Sequence, residues 1–225
     1  MNPPAAVERR GRFITFEGGE GAGKSTQARR LVAHLARAGV PAVATREPGG
    51  SPLAEAIRAV LLSGRAAQLG AAGEAILFGA ARLDHIDRLI APALAAGTWV
   101  VCDRFADSTR AYQGAGGKAP AALIDELENI VVGETRPDLT ILMDLPPETG
   151  LARAQRRADG AAGDRFESED LGFHRALRRA FLDIAAAESE RVKIVDATGS
   201  EDQIAADVWA LVRRKFPSVM EAAGR

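Results

Sequence analysis

The chain is predicted to fold as α/β, a doubly wound five-stranded parallel sheet with helices on both faces. Three observations lead there. Apolar runs at residues 13–16, 40–45, 99–102, 139–143 and 192–195 are each long enough for one buried strand. Helical patterns separate them, and a strand, helix, strand order with both strands apolar closes by a right-handed crossover into a parallel sheet. The first run breaks directly into a glycine-rich turn, and in open parallel sheets ligands gather beyond the carboxyl ends of the strands.

Taking the elements in order, residues 12–27 read RFITFEGGEGAGKSTQ, and Gly18, Gly23, Lys24 and Ser25 match the phosphate loop G-x-x-x-x-G-K-S/T. The glycines let successive backbone N–H groups of Gly19, Glu20, Gly21, Ala22 and their neighbours turn toward phosphate oxygens. Lys24 reaches the β and γ phosphates, Ser25 can ligate Mg²⁺, and Thr26 continues the loop into a helix whose positive end faces the same anion. The helical pattern over 24–38 carries Leu31, Val32 and Leu35 and stops at Gly39. This is a nucleoside triphosphate site.

The second strand ends in TREPGG. Arg46 therefore stands at the mouth of the sheet, where it could clamp a second phosphate bidentately or pair with Glu47 in the turn; Pro48 and two glycines tighten that turn. Asp103 and Arg104 follow the third strand directly. A carboxylate there can serve a Mg²⁺ shell or orient an attacking oxygen, and Arg104 can neutralise a phosphate. Asp144 ends the fourth strand similarly and rivals Asp103, although Pro146 and Pro147 turn the chain at once; either aspartate could instead cap its strand.

Residues 73–90 read as a helix with Phe78, Arg82 and His85 on one face. A ring with a guanidinium one turn away can stack on a base and donate to its carbonyl, or be simply a core Phe beside a solvated Arg; His85 reads as structural. On another face Ile76, Leu83 and Ile90 are expected to meet the core. Residues 158–170 are polar and glycine-containing, and this stretch and the tail after residue 216 read as mobile.

The 225 residues suit one domain, 12–216, flanked by tails 1–11 and 217–225. With 29 basic and 30 acidic residues the net charge is -1, so no bulk field draws the chain to a nucleic-acid polymer or a membrane. A lone Cys102 rules out an internal disulfide and suits a reducing cytoplasm. The first twelve residues hold Pro3, Pro4 and three arginines without an apolar core, unlike a secretion signal. No stretch approaches the roughly 18 apolar residues of a membrane span.

FEGGEGAGKST, TREPGG, the helix with LFGAARLDH, DRFADSTRAYQG and the later DRFE, in that order over about residues 12–215, resemble the thymidylate kinase family. The resemblance implies a P-loop kinase core with a mobile lid, in a cytoplasmic homodimer that transfers the γ-phosphoryl group of ATP, with Mg²⁺, to dTMP. By the same resemblance Phe78 would stack on thymine and Arg82 donate to its carbonyl, Arg46 and Arg104 would hold the dTMP phosphate, and Glu20 would lie near the 3′-hydroxyl. Tyr112 would fill the space beside C2′ and disfavour ribonucleotides, with Ser108 and Gln113 in the same pocket. Asp196 and Ala197 resemble the loop beside adenine.

Positions 19–22 hold no basic residue, whereas some family members place an arginine there. The charge is then expected from a closing lid, residues 150–170, with Arg153, Arg156 and Arg157 on one helix and Arg165 beyond it; any one of these could equally be a solvated surface residue. Lys24, Asp103, Arg104, Arg153 and Arg157 are the expected catalytic set, with Ser25 and Asp103 at the metal. Two other readings stay open, a kinase for a different nucleoside monophosphate and a GTP-binding switch. The switch is disfavoured because N-K-x-D is absent and neither Asp103 nor Asp144 opens a D-x-x-G.

Overall fold

The computed structural model describes residues 10–158 and 166–217. Within them five strands, β1 (Phe13–Glu17), β2 (Ala42–Arg46), β3 (Trp99–Asp103), β4 (Leu139–Asp144) and β5 (Val192–Asp196), form one parallel sheet in the order β2-β3-β1-β4-β5. Each strand expected from an apolar run is present. The largest boundary difference is at β2, which starts two residues later than its run. The N–H of Val40 is spent on the Leu35 carbonyl at the end of the preceding helix, and Pro41 has no N–H to give a ladder.

Both faces of the sheet are covered, which is why the strands read as continuous apolar runs. Helices α1 (Lys24–Arg37) and α9 (Glu201–Lys215) pack over Ile14, Phe16, Val101 and Ile141. Alternate residues point the other way. Phe13, Val100 and Cys102 lie under Ile86, Ile90 and Leu94, and Leu142 lies under Leu177 and Phe181 of α8 (Leu171–Ala187). Full burial of each such side chain is worth about 1.5–3 kcal/mol, so a charge at Ile14 would unseat the α1 face.

Helix α2 (Pro52–Leu62) and a 3₁₀ turn (Arg65–Leu69) lead into α3 (Gly70–His85), which continues through a π-helical turn (Ile86–Ile90) into α4 (Ala91–Ala95). Here one expectation fails. Ile76 and Leu83 do not meet the core but are 52% and 44% exposed, whereas Ile90 is fully buried. Helix α3 packs between α2 and α6 (Ala121–Val132), and the stripe bearing Ile76 and Leu83 is left outside. The π turn is wider than an α turn, so it rotates the helix phase and brings Ile90 round to the sheet.

After β3 come a short helix, α5 (Ala106–Thr109), and a π-helical turn (Arg110–Gly116). Helix α7 (Pro147–Ala158) begins the expected lid, and a turn from Phe166 to the N-cap of α8 ends it, where Asp170 accepts the Phe173 N–H at 2.7 Å. The stretch between them, including Arg165, lies outside the described residues, as do the side chain of Arg157 and the expected tail beyond residue 217. Among the described residues no helix is long and apolar enough to cross a membrane.

Candidate active site

Register places the chemistry. Phe16 and Arg46 both pair with Asp103 across the ladder, and Glu17 pairs with Leu142, so the strand ends carrying the expected site residues form one edge. Beyond that edge lies a cavity of about 400 Å³. Gly21, Gly23, Lys24, Ser25 and Thr26 line one wall, and the N-terminus of α1 opens there with Gly23 in the left-handed region. Gly18, Gly19 and Ala22 form the loop behind that wall. A side chain at Gly21 would collide with the carbonyl of Gly150 on α7, so the phosphate loop and the first turn of the expected lid are in backbone contact.

Lys24 donates to the Gly19 carbonyl at 2.7 Å and is buried. Burial, reinforced by the nearby Arg104 charge, lowers its pKa to about 8, with Glu20, Asp103 and Glu17 pulling the other way. Its ammonium is thus poorly solvated and short of partners, ready to exchange one carbonyl for phosphate oxygens. Ser25 donates to Asp103 Oδ2, while Asp103 Oδ1 is buried without a hydrogen-bond partner. An orphaned carboxylate oxygen beside a loop hydroxyl suits a hard cation that takes its remaining ligands from phosphates and water. Among the described residues no group of three or more His, Cys, Asp or Glu could form a protein-only metal cage. Asp144, the rival carboxylate, is occupied by Arg178 through two bonds of 2.7 and 2.8 Å.

Arg104 sits at a positive φ of 70°, unusual for a side chain with a Cβ. Its conformation is held from both sides. Its own N–H reaches the Phe16 carbonyl at 2.9 Å, and Glu17 accepts the N–H groups of Phe105 at 2.8 Å and Ser108 at 3.2 Å, plus the Ser108 hydroxyl at 2.6 Å. Thus Glu17, to which the sequence reading assigned no role, builds the turn that aims Arg104. Its presence in FEGGE one residue before the loop was the available signal. Burial, with Asp107's charge adding to it, pushes the Glu17 pKa up to about 7.

Glu20 receives Arg104 and the Tyr112 hydroxyl on a single oxygen, both at 2.6 Å, and the guanidinium lies 5.0 Å over the Tyr112 ring. Burial would raise the Glu20 pKa, but Arg104, Lys24 and the Tyr112 hydroxyl outweigh it and bring it down to about 2. The expected neighbours Glu20, Arg104, Ser108, Tyr112 and Gln113 therefore share one wall of the cavity.

Phe78, Arg82 and Arg46 line the same cavity. Arg46 pairs not with Glu47 but with Glu55 of α2, at 3.0 and 3.1 Å. Glu47 turns inward to Arg82, whose Nε donates to it at 2.8 Å while NH2 donates to Thr109 at 3.1 Å. Phe166, from DRFE, was a motif letter without a role; it stands edge-on to Tyr112 with centroids 5.3 Å apart and 6.4 Å from the Phe78 ring. It closes the cavity between those two rings.

Of the expected lid arginines, Arg153 and Arg156 have described side chains, and both bond elsewhere than to the phosphate loop. Arg153 donates to the carbonyls of Ala197 at 2.9 Å and Thr198 at 3.3 Å, tying α7 to the loop after β5. Arg156 returns to Ala152 of its own helix at 3.1 Å. The chain does carry one D-x-x-G string, 196–199, but it follows the edge strand β5, where Asp196 accepts the Thr198 N–H and closes its own turn.

Comparison with known proteins shows the family. The family model described as Thymidylate kinase matches residues 16–208. A thymidylate kinase of Bradyrhizobium sp. (strain ORS 278) is 51% identical over 222 residues, covering 97% of this chain and 98% of that protein. One from Rhodopseudomonas palustris (strain TIE-1) is 54% identical over 208 residues, 92% of this chain and 90% of the other. The crystal structure of thymidylate kinase from Ehrlichia chaffeensis superposes with a TM-score of 0.72 at 33% identity, over 90% of this chain and 99% of that one.

Proposed function

The chain belongs to the thymidylate kinase family and is an ATP-dependent kinase that phosphorylates dTMP, and we propose that the cavity at the strand ends is where the two nucleotides meet. The observation that carries this is that two chemically unlike sets of residues line one space. One has Lys24, Ser25 and the start of α1; the other has Phe78, Arg82, Arg46 and Arg104. The first is built for a triphosphate. The second offers a ring for a flat base and guanidiniums for its carbonyl and phosphate.

In-line transfer requires two polyanions to approach, so the site must spread positive charge between them and exclude water. Lys24 binds the ATP β and γ phosphates as it leaves Gly19. Arg104 and Arg46 hold the acceptor phosphate, Glu20 lies at the deoxyribose, and Tyr112 blocks the 2′ position. The acceptor oxygen is already ionised at neutral pH, so Asp103 orients rather than deprotonates. Ser25 and Asp103 would hold Mg²⁺, which supplies charge neutralisation at the transferring phosphates. The charge missing from positions 19–22 would come from the lid segment 150–170, with Arg157 and Arg165 as its arginines. Arg153 remains in the proposed catalytic set, reaching the phosphates only if it leaves Ala197 and Thr198.

The working unit proposed is one domain, residues 12–216, paired as a homodimer in the cytoplasm. Support for the pairing comes from α2, α3 and α6, adjacent helices that expose Leu53, Ile76, Leu83 and Ile130. The function is tested by profiling nucleoside monophosphates with ATP and Mg²⁺ in a coupled ADP-release assay, on the wild type and on Phe78→Ala. We expect dTMP to be the preferred acceptor and its KM to rise in the variant with the ATP KM unchanged. Preference for UMP, CMP or AMP would replace the acceptor assignment.

A further inference from the structure

Behind the proposed base site lies a buried relay. His85 is fully buried on α3, three residues beyond Arg82 on the same face. Its Nδ1 meets Glu47 Oε1 at 3.1 Å, and its Nε2 meets the Thr45 hydroxyl at 2.8 Å. A carboxylate only accepts, so Nδ1 carries a hydrogen. The other Glu47 oxygen takes Arg82 Nε, and Glu47 and Arg82 are themselves about 5% exposed or less. Arg82 is fixed further by Thr109 and by its stacking 5.1 Å from the centroid of Phe105, which leaves its remaining N–H groups for the cavity it lines.

The turn is shaped around this relay. A Cβ at Gly50 would overlap His85 Nε2 and lie 2.6 Å from the Thr45 hydroxyl, and Gly50 also has φ +89°. The second glycine of TREPGG is thus required by the histidine behind it as well as by its own backbone. Thr45 immediately precedes Arg46, so the relay joins the base-facing guanidinium to the strand end bearing the phosphate-facing one.

We propose that His85 is a positioning residue for the acceptor nucleotide: by occupying one oxygen of Glu47 it leaves Arg82 a single Nε contact, and so sets the angle at which Arg82 meets the base. Without the imidazole, Glu47 has a bare buried oxygen, and Arg82, whose Nε already holds the other oxygen, has a second nitrogen that can turn to satisfy it. A fork-to-fork pair would then form and turn the guanidinium out of the cavity.

This inference rests on the dTMP reading above, and three substitutions separate the two. His85→Asn keeps a donor at the Nδ1 position, His85→Gln keeps an amide only at the Nε2 position, and His85→Leu keeps neither. Steady-state kinetics with dTMP varied at saturating ATP should show the dTMP KM raised about tenfold in the Leu and Gln variants, with the ATP KM and kcat within about twofold of wild type. The Asn variant should return near the wild-type KM. Equal losses in Asn and Leu, parallel changes in both substrates' constants, or no change in any variant would overturn the proposal. Should His85→Leu fail to fold, Thr45→Val removes only the hydroxyl, and it should raise the dTMP KM a few-fold; an unchanged KM there counts against the relay. A wild type that does not use dTMP refutes the function, whereas a dTMP-using wild type with an inert His85 series refutes only this inference.

Discussion

Glu17→Gln tests how the Arg104 turn is held. Glu17 is fully enclosed and accepts three hydrogen bonds, yet its carboxyl has a pKa raised from 4.5 to about 7, first by burial and then by Asp107. The raised value favours the protonated form in the folded state. Between pH 4.5 and about 7 the folded chain therefore binds a proton that the unfolded chain has released, and stability falls as pH rises through that window. At about 1.4 kcal/mol for each pKa unit, the loss amounts to about 3 kcal/mol. Glutamine keeps the geometry without the titration: its carbonyl can accept from Phe105 and Ser108, and its amide can donate to the Ser108 hydroxyl. Urea unfolding at intervals from pH 4.5 to 8 should show the wild type losing about 3 kcal/mol relative to Glu17→Gln, with the variant's activity at pH 7 within a few-fold of wild type. Parallel curves for the two proteins would refute the reasoning.

Three further outcomes are expected. Arg104→Ala should lower kcat/KM for dTMP by about 10²–10³, the scale of losing one preorganised donor, and near-normal turnover would contradict its role. Asp103→Asn should raise the Mg²⁺ concentration needed for half-maximal rate, read by metal titration at fixed ATP, because Oδ1 is the carboxylate oxygen left without a partner. If the proposed homodimer forms through this face, Leu83→Glu should shift it to monomer in sedimentation velocity while leaving thermal stability unchanged, because that side chain is already half exposed.

What the sequence revealed was mostly local. Strands β1, β3 and β4 could be read because both their faces are buried and their runs are mostly apolar, edge strand β5 from Val192, Ile194 and Val195 although Ile194 is half exposed, and the phosphate loop because its spacing is itself the geometry. Placing Phe78 and Arg82 on one face needed only helix periodicity. The same periodicity misled for Ile76 and Leu83, since it says which residues share a face and not what covers that face. Arg153 pointed the same lesson: its position on α7 was readable, while its carbonyl partners 44 and 45 residues away were not.

The less visible part of the site follows one rule. Each arginine proposed to face the acceptor nucleotide already rests on a glutamate: Arg46 on Glu55, Arg82 on Glu47 and Arg104 on Glu20. The partners are 9, 35 and 84 residues away, and no spacing predicts them. Physically such pairing is what lets guanidiniums stay oriented in a site before any anion arrives, since an unpaired buried charge costs several kcal/mol. The three pairs differ in burial. Arg46–Glu55 is half exposed and easily exchanged, while Arg82–Glu47 is enclosed and bound on its far side by His85. A phosphate arriving at Arg46 therefore competes with a weak, solvated partner, whereas the base meets an arginine whose direction has been set in advance. Acceptor affinity should then respond to the buried relay more than to the exposed pair, so that Glu55→Gln, unlike His85→Leu, leaves the dTMP KM nearly unchanged.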